Sequence, residues 1–166
     1  MSLSISRFLR TLLTSLVLAF SWGNLAEAVT LHFKERITQW EPIDLGATGP
    51  SLVDLDAGNG ILLDLKGNPI GTMDFQSVLT NIKAISENRW LNVQYTFRDG
   101  LDSIIIQGIA EQQSDTGLQT KDTPYYYAIT GGTGKYAGAK GVCKVVRETD
   151  AEWINTCKFQ VLKIKF

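Results

Sequence analysis

The chain has 166 residues, with 16 basic and 17 acidic side chains and a net charge of −1. That balance, with no basic stripe, argues against nucleic acid as a partner. One His and two Cys leave no His/Cys cluster of the kind that holds zinc or copper, so no metal and no cofactor is expected.

Residues Met1 to Ala28 read as a secretory leader. Arg7 and Arg10 form a basic start, Thr11 to Trp22 is mostly apolar, and Ala26-Glu27-Ala28 fits a small-x-small cleavage site. The apolar run is short for a stable membrane span. Cleavage after Ala28 leaves one domain, 29–166, secreted or periplasmic, with no membrane insertion of the mature chain.

Val29 to Thr38 alternates as a strand. Leu31, Phe33, Glu35 and Ile37 share one face; His32, Lys34, Arg36 and Thr38 share the other. Glu35 is thus a carboxyl on an otherwise apolar face. It is either a structural partner of Lys34, Arg36 or a base on a neighbouring strand, or an acid inside a ligand cavity.

Trp40 to Gly49 reads as loop, broken by Pro42 and Gly46. Ser51 to Leu55 and Ile61 to Leu65 read as short strands around a turn at Asp56-Ala57-Gly58-Asn59-Gly60. Asp54 and Asp56 lack the spacing of a calcium loop. Gly67-Asn68-Pro69 turns into a strand over Ile70 to Thr80, and the polar stretch Asn81 to Asn88 leads onward.

Trp90 to Gln112 is a hairpin about Asp99-Gly100. A two-residue loop pairs Tyr95 with Ile104, Val93 with Ile106 and Leu91 with Gly108. The face carrying Leu91, Val93, Tyr95 and Phe97 is buried, either along a cavity or against another subunit. Gln113 to Thr123 is polar and reads as a mobile loop at a barrel mouth. Tyr125, Tyr126 and Tyr127 cannot all face inward on one strand, so at least one is exposed or at an interface.

Ala128 to Gly141, AITGGTGKYAGAKG, carries five glycines. It is not a phosphate loop: Tyr136 follows Lys135 where Ser or Thr is required, and β-branched residues rather than a helix come next. Gly131, Gly132, Gly134 and Gly138 therefore read as structural glycines of a tight strand-to-strand corner. Beyond it, a three-residue turn Thr149-Asp150-Ala151 places Cys143 opposite Cys157. In an exported protein that register implies a disulfide; two reduced thiols are the alternative.

The glycine corner resembles the GGTG-x-Y/F-x-x-A/G-x-G signature of the dirigent and allene oxide cyclase superfamily. Tyr95-Thr96-Phe97, Asp99-Gly100, Gln107-Gly108 and Asp122-Thr123 follow the order found in the cyclases. The resemblance spans most of Leu31 to Val146. It implies an all-β, eight-stranded antiparallel β-barrel with an apolar cavity, often trimeric. Its plant members cyclise an unstable fatty-acid epoxide or steer phenoxy-radical coupling. Those cyclases carry a Glu in the first strand, and Glu35 is the nearest match. The chain departs from the pattern elsewhere. Ile109-Ala110 and Pro124-Tyr125-Tyr126 stand where dirigent proteins have an Asp and an Arg, and Ser77 stands at the cyclases' Cys.

The expectation is an exported barrel that binds an apolar small molecule and directs its cyclisation or coupling, as a homotrimer or homodimer. The alternative is a non-catalytic, lipocalin-like binding protein. Glu35 is the candidate catalytic acid, and Phe33, Ile37, Tyr95, Phe97 and Trp153 are the candidate ligand contacts.

Overall fold

A computed structural model describes residues 26–98 and 100–162. Residues 1–25, which hold most of the expected leader, residue 99 and residues 163–166 lie outside the described residues. Eight strands run in chain order: β1 (Ala26–Ile43), β2 (Leu55–Leu63), β3 (Pro69–Ile82), β4 (Ser86–Phe97), β5 (Asp102–Gln113), β6 (Pro124–Thr133), β7 (Lys140–Arg147) and β8 (Glu152–Leu162). Each pairs antiparallel with the next, and β8 returns to β1, from Ala26↔Leu162 to Arg36↔Glu152. The sheet is a closed eight-stranded barrel.

Alternation sends one set of side chains inward along every strand. On β4 these are Glu87, Arg89, Val93, Tyr95 and Phe97; on β8, Trp153, Asn155, Cys157, Phe159 and Val161. The β4–β5 face left open by the sequence therefore lines the interior. The hairpin has the expected register, Tyr95↔Ile104, Val93↔Ile106 and Leu91↔Gly108. The last hairpin does too: Cys143 faces Cys157, and the two form a disulfide.

Four segments differ from expectation. Asn81 to Asn88 is not a connection alone, since its ends pair as strand through Asn81↔Asn88 and Ile82↔Glu87. Trp40 to Ile43 is not loop but the end of β1, paired with β2 through Trp40↔Gly58 and Ile43↔Leu55. Asp56 to Gly60 is not a turn but the body of β2, and Ser51 to Leu55 is not a strand of its own. The glycines there serve close approach rather than chain reversal. A Cβ on Gly58 would strike the Phe75 ring and the Gln39 carbonyl, and one on Gly60 would strike the Arg36 carbonyl. The pairing shifts by one residue beside them, between Ile37 and Gln39, which bends β1.

The glycine corner is the expected tight connection. β6 ends in a single 3-10 turn, Gly134–Tyr136, before β7. Gly134 and Gly138 have positive φ, 58° and 69°. Gly132 is confined by the Ser103 and Tyr136 carbonyls. Gly131 is not confined, since an added Cβ meets nothing within 4 Å. Tyr136 plugs this end of the barrel. Edge-to-face contacts run from Tyr95 to Phe33 (5.0 Å), Phe33 to Phe97 (5.6 Å), Phe97 to Tyr136 (5.9 Å) and Tyr136 to Phe159 (5.4 Å).

Candidate functional site

The opposite end is hollow. A cavity of about 80 Å³ is lined by the C-terminal half of β1, the start of β2, Met73 to Ser77 of β3, Leu91 to Tyr95 of β4, and residues of β5 to β8. Met73, Phe75, Leu91, Val93, Ile106 and Val145 supply most of its apolar wall, and Trp40, Tyr127 and Trp153 add rings.

Glu35 faces this cavity and is 7% exposed. Its neighbours in sequence point outward and are already paired: Lys34 with Glu148 at 2.6 Å, and Arg36 donating from Nε to Glu152 at 2.6 Å. Among the described residues no cation pairs with Glu35, so the ion-pair alternative does not hold. The carboxylate instead accepts a 2.6 Å hydrogen bond from the Tyr95 hydroxyl. Burial raises the Glu35 pKa from 4.5 to about 7, against the opposing pull of Tyr95 and Asn155. The same burial, with Glu35 beside it, drives the Tyr95 phenol well above its usual range.

Tyr95 has one hydroxyl proton and two acceptors in reach, Glu35 Oε2 and Asn155 Oδ1, the latter at 3.1 Å. With Glu35 ionised, the proton serves Glu35. With Glu35 protonated, Glu35 can donate to the Tyr95 oxygen while Tyr95 donates to Asn155. The triad can therefore take up or release one proton at the cavity wall, with Tyr95 turning its hydroxyl to suit either state.

A second polar group sits on the mouth side. Asp56 lines the cavity, 3% exposed, and accepts from Ser77 Oγ at 3.0 Å. Arg89 Nη1 lies 2.8 Å from Asp56, off the hydrogen-bonding line, while Nε donates to Glu87 at 2.7 Å. Desolvation raises the Asp56 pKa, opposed by Arg89, Ser77 and Trp40. Asp54 does not join this group in the wall. It caps the preceding loop by accepting from the backbone of Ser51 and Leu45.

The loop between β5 and β6 folds over the mouth, contributing Gly117, Leu118 and Gln119 to the wall. Gln119 is buried; it accepts from Trp153 Nε1 at 3.0 Å and donates to the Tyr127 hydroxyl. Of the three consecutive tyrosines, Tyr127 faces in, Tyr125 is half-buried and Tyr126 is exposed.

Of the expected ligand contacts, Ile37, Tyr95 and Trp153 line the cavity with Glu35. Phe33 and Phe97 do not. They point inward as expected, but two residues further from the mouth than Glu35 and Tyr95, where they pack into the plug. Alternation gives the side of a strand, not the depth along the barrel. Asn155 and Arg89 were readable by the same parity, being two from Trp153 and from Leu91. Asp56 was hidden by the turn-like glycines around it, and Gln119 by its loop, where no periodicity applies.

No protein-family model matches the sequence, and no curated protein sequence matches it. Solved structures do. A pyocyanin demethylase superposes with a TM-score of 0.63 at 23% identity, over 78% of this chain and 99% of its own. A pterocarpan synthase dirigent protein matches with a TM-score of 0.63 at 13% identity, over 83% of this chain and 90% of its own. A Diels–Alderase from Streptomyces koyangensis matches with a TM-score of 0.62 at 16% identity, over 96% of this chain and 82% of its own. At these identities the likeness is one of fold: this chain shares the closed β-barrel of the dirigent proteins and of cyclases that include a Diels–Alderase.

Proposed function

We propose that the protein is exported and that its barrel binds an apolar small molecule and directs its cyclisation or coupling, with Glu35 as the acid-base group. The observation that carries this reading is the Glu35 carboxyl in the wall of an apolar cavity, held by Tyr95 and unpaired with any cation among the described residues. An acid with a pKa near neutrality donates or accepts a proton with little penalty, and its anion stabilises a passing cation. The walls restrict the conformers of a flexible substrate, which lowers the entropic part of the barrier. That neighbours of the same fold include a dirigent protein and a Diels–Alderase supports a reaction governed by positioning.

Export is supported by the leader pattern of residues 1–28 and by the Cys143–Cys157 disulfide. Self-association is part of the same reading. Trp90, Ile109, Tyr126 and Val142 put exposed apolar groups on the outer faces of β4 to β7.

Native mass spectrometry of protein isolated from its own source tests the binding reading, with an apolar adduct expected at one per barrel. Glu35→Gln then tests the chemistry. A folded variant that retains the adduct and loses turnover supports the acid role. Unchanged turnover would reduce the barrel to a binding protein.

A further inference from the structure

The wall of the cavity has a one-sided charge. Glu35 and Asp56 are the charged residues that line it; among the described residues no Lys, Arg or His does. The nearest cation to Asp56, Arg89, is shared. It faces Asp56 on one side and Glu87 on the other, so one guanidinium serves two carboxylates. An uncharged acceptor points the same way: Gln112 also lines the cavity, and its Oε1 is shielded from solvent with no hydrogen-bond partner. Trp40, Phe75, Tyr127 and Trp153 surround these groups with ring surface.

We propose that the ligand of this cavity is an aromatic body carrying a protonated nitrogen, and that the cavity discriminates against carboxylates. This rests on the reading of the barrel as a small-molecule binder, and replaces a wholly apolar ligand by an apolar ring that carries one cationic nitrogen. An ammonium or protonated heterocycle entering the wall loses water, and two carboxyl groups, an open amide oxygen and several ring faces replace it. A carboxylate loses water of similar value and meets two carboxyl groups, with no Lys, Arg or His among the described lining residues to offset them. The asymmetry is of the kind that sets specificity: one class is matched and its opposite is left uncompensated. The volume of about 80 Å³ limits what is held below the mouth to about one ring.

The test uses three single-ring probes of near-equal size, benzylammonium, benzyl alcohol and benzoate. Each is titrated at pH 8 into the protein, with Trp40 and Trp153 fluorescence and amide NMR shifts as readouts. The ammonium is expected to bind roughly tenfold tighter than the alcohol, and benzoate more weakly than either. Asp56→Asn and Glu35→Gln should each narrow the ammonium-to-alcohol ratio. Benzoate binding as tightly as the ammonium overturns the charge assignment and leaves the binding reading standing. Failure of all three to bind overturns both. The wild-type ranking decides the matter even if a variant does not fold.

Discussion

The two ends of the barrel are built from the same alternating strands and have opposite contents. At one end Phe33, Phe97, Tyr136 and Phe159 interlock edge to face, and the glycine corner folds back so that the Tyr136 ring closes the bore. At the other, the inward positions carry Glu35, Asp56, Arg89, Gln119 and Asn155, and a cavity remains. Aromatic rings fill the bore at the plugged end, whereas the side chains at the other end leave space between them. The plug thus supplies packing energy, while the hollow end holds groups that are costly to bury. A carboxyl driven to a pKa of about 7 registers that cost directly.

Four experiments would break or sharpen this contrast. The largest effect belongs to the plug. Gly134→Val forces a β-branched side chain into positive φ and against the Leu101 carbonyl, and should cost about 3–5 kcal/mol by urea denaturation. Gly131→Ala, in open space, should cost under about 1 kcal/mol. Equal effects would remove the structural distinction between the two glycines. Next comes the disulfide, which closes a short segment with a sequence separation of 14. Its reduction should destabilise by about 3 kcal/mol in the loop-closure description, and thiol counting on denatured, unreduced protein should find no free thiol.

At the hollow end the sign reverses. Because the folded-state pKa of Glu35 lies above its unfolded value of 4.5, folding favours the protonated form. The ionisation cost is absent below pH 4.5, grows between there and about pH 7, and is complete above. Glu35→Gln should therefore stabilise the protein at pH 8 by up to about 3 kcal/mol and flatten its stability between pH 5 and 8. A variant less stable than wild type at pH 8 would mean that the carboxylate is structural. The smallest effect is at the mouth. Gln119→Ala leaves Trp153 Nε1 and the Tyr127 hydroxyl without their partner and should cost about 1–2 kcal/mol, with faster probe entry in stopped-flow fluorescence. Unchanged entry kinetics would show that the loop does not gate the cavity.

The sequence was most legible where local chemistry fixes geometry. Asp99-Gly100 and Thr149-Asp150-Ala151 each set a hairpin register, and from those registers followed the buried Tyr95 face and the Cys143–Cys157 pair. Glu35 was legible because a single strand carries its own contrast between faces. Asp56 was not, because Gly58 and Gly60 look like a turn when their reason, the Phe75 ring and the Arg36 carbonyl, lies on other strands. Phe33 and Phe97 had the right side and the wrong depth, since depth depends on how eight strands stagger around the ring. The Arg89 ion pairs join β4 to β2, a contact no local pattern reports.

The seam between β1 and β8 has a practical consequence. Ala26 pairs with Leu162, so both described ends of the chain leave the barrel side by side, on the plugged rim. Glu35 lies nine residues along β1 from that rim, roughly 30 Å at the rise of an extended strand. A tag attached at this rim therefore joins the barrel far from the mouth, and the protein can be immobilised there while its cavity stays open to solution.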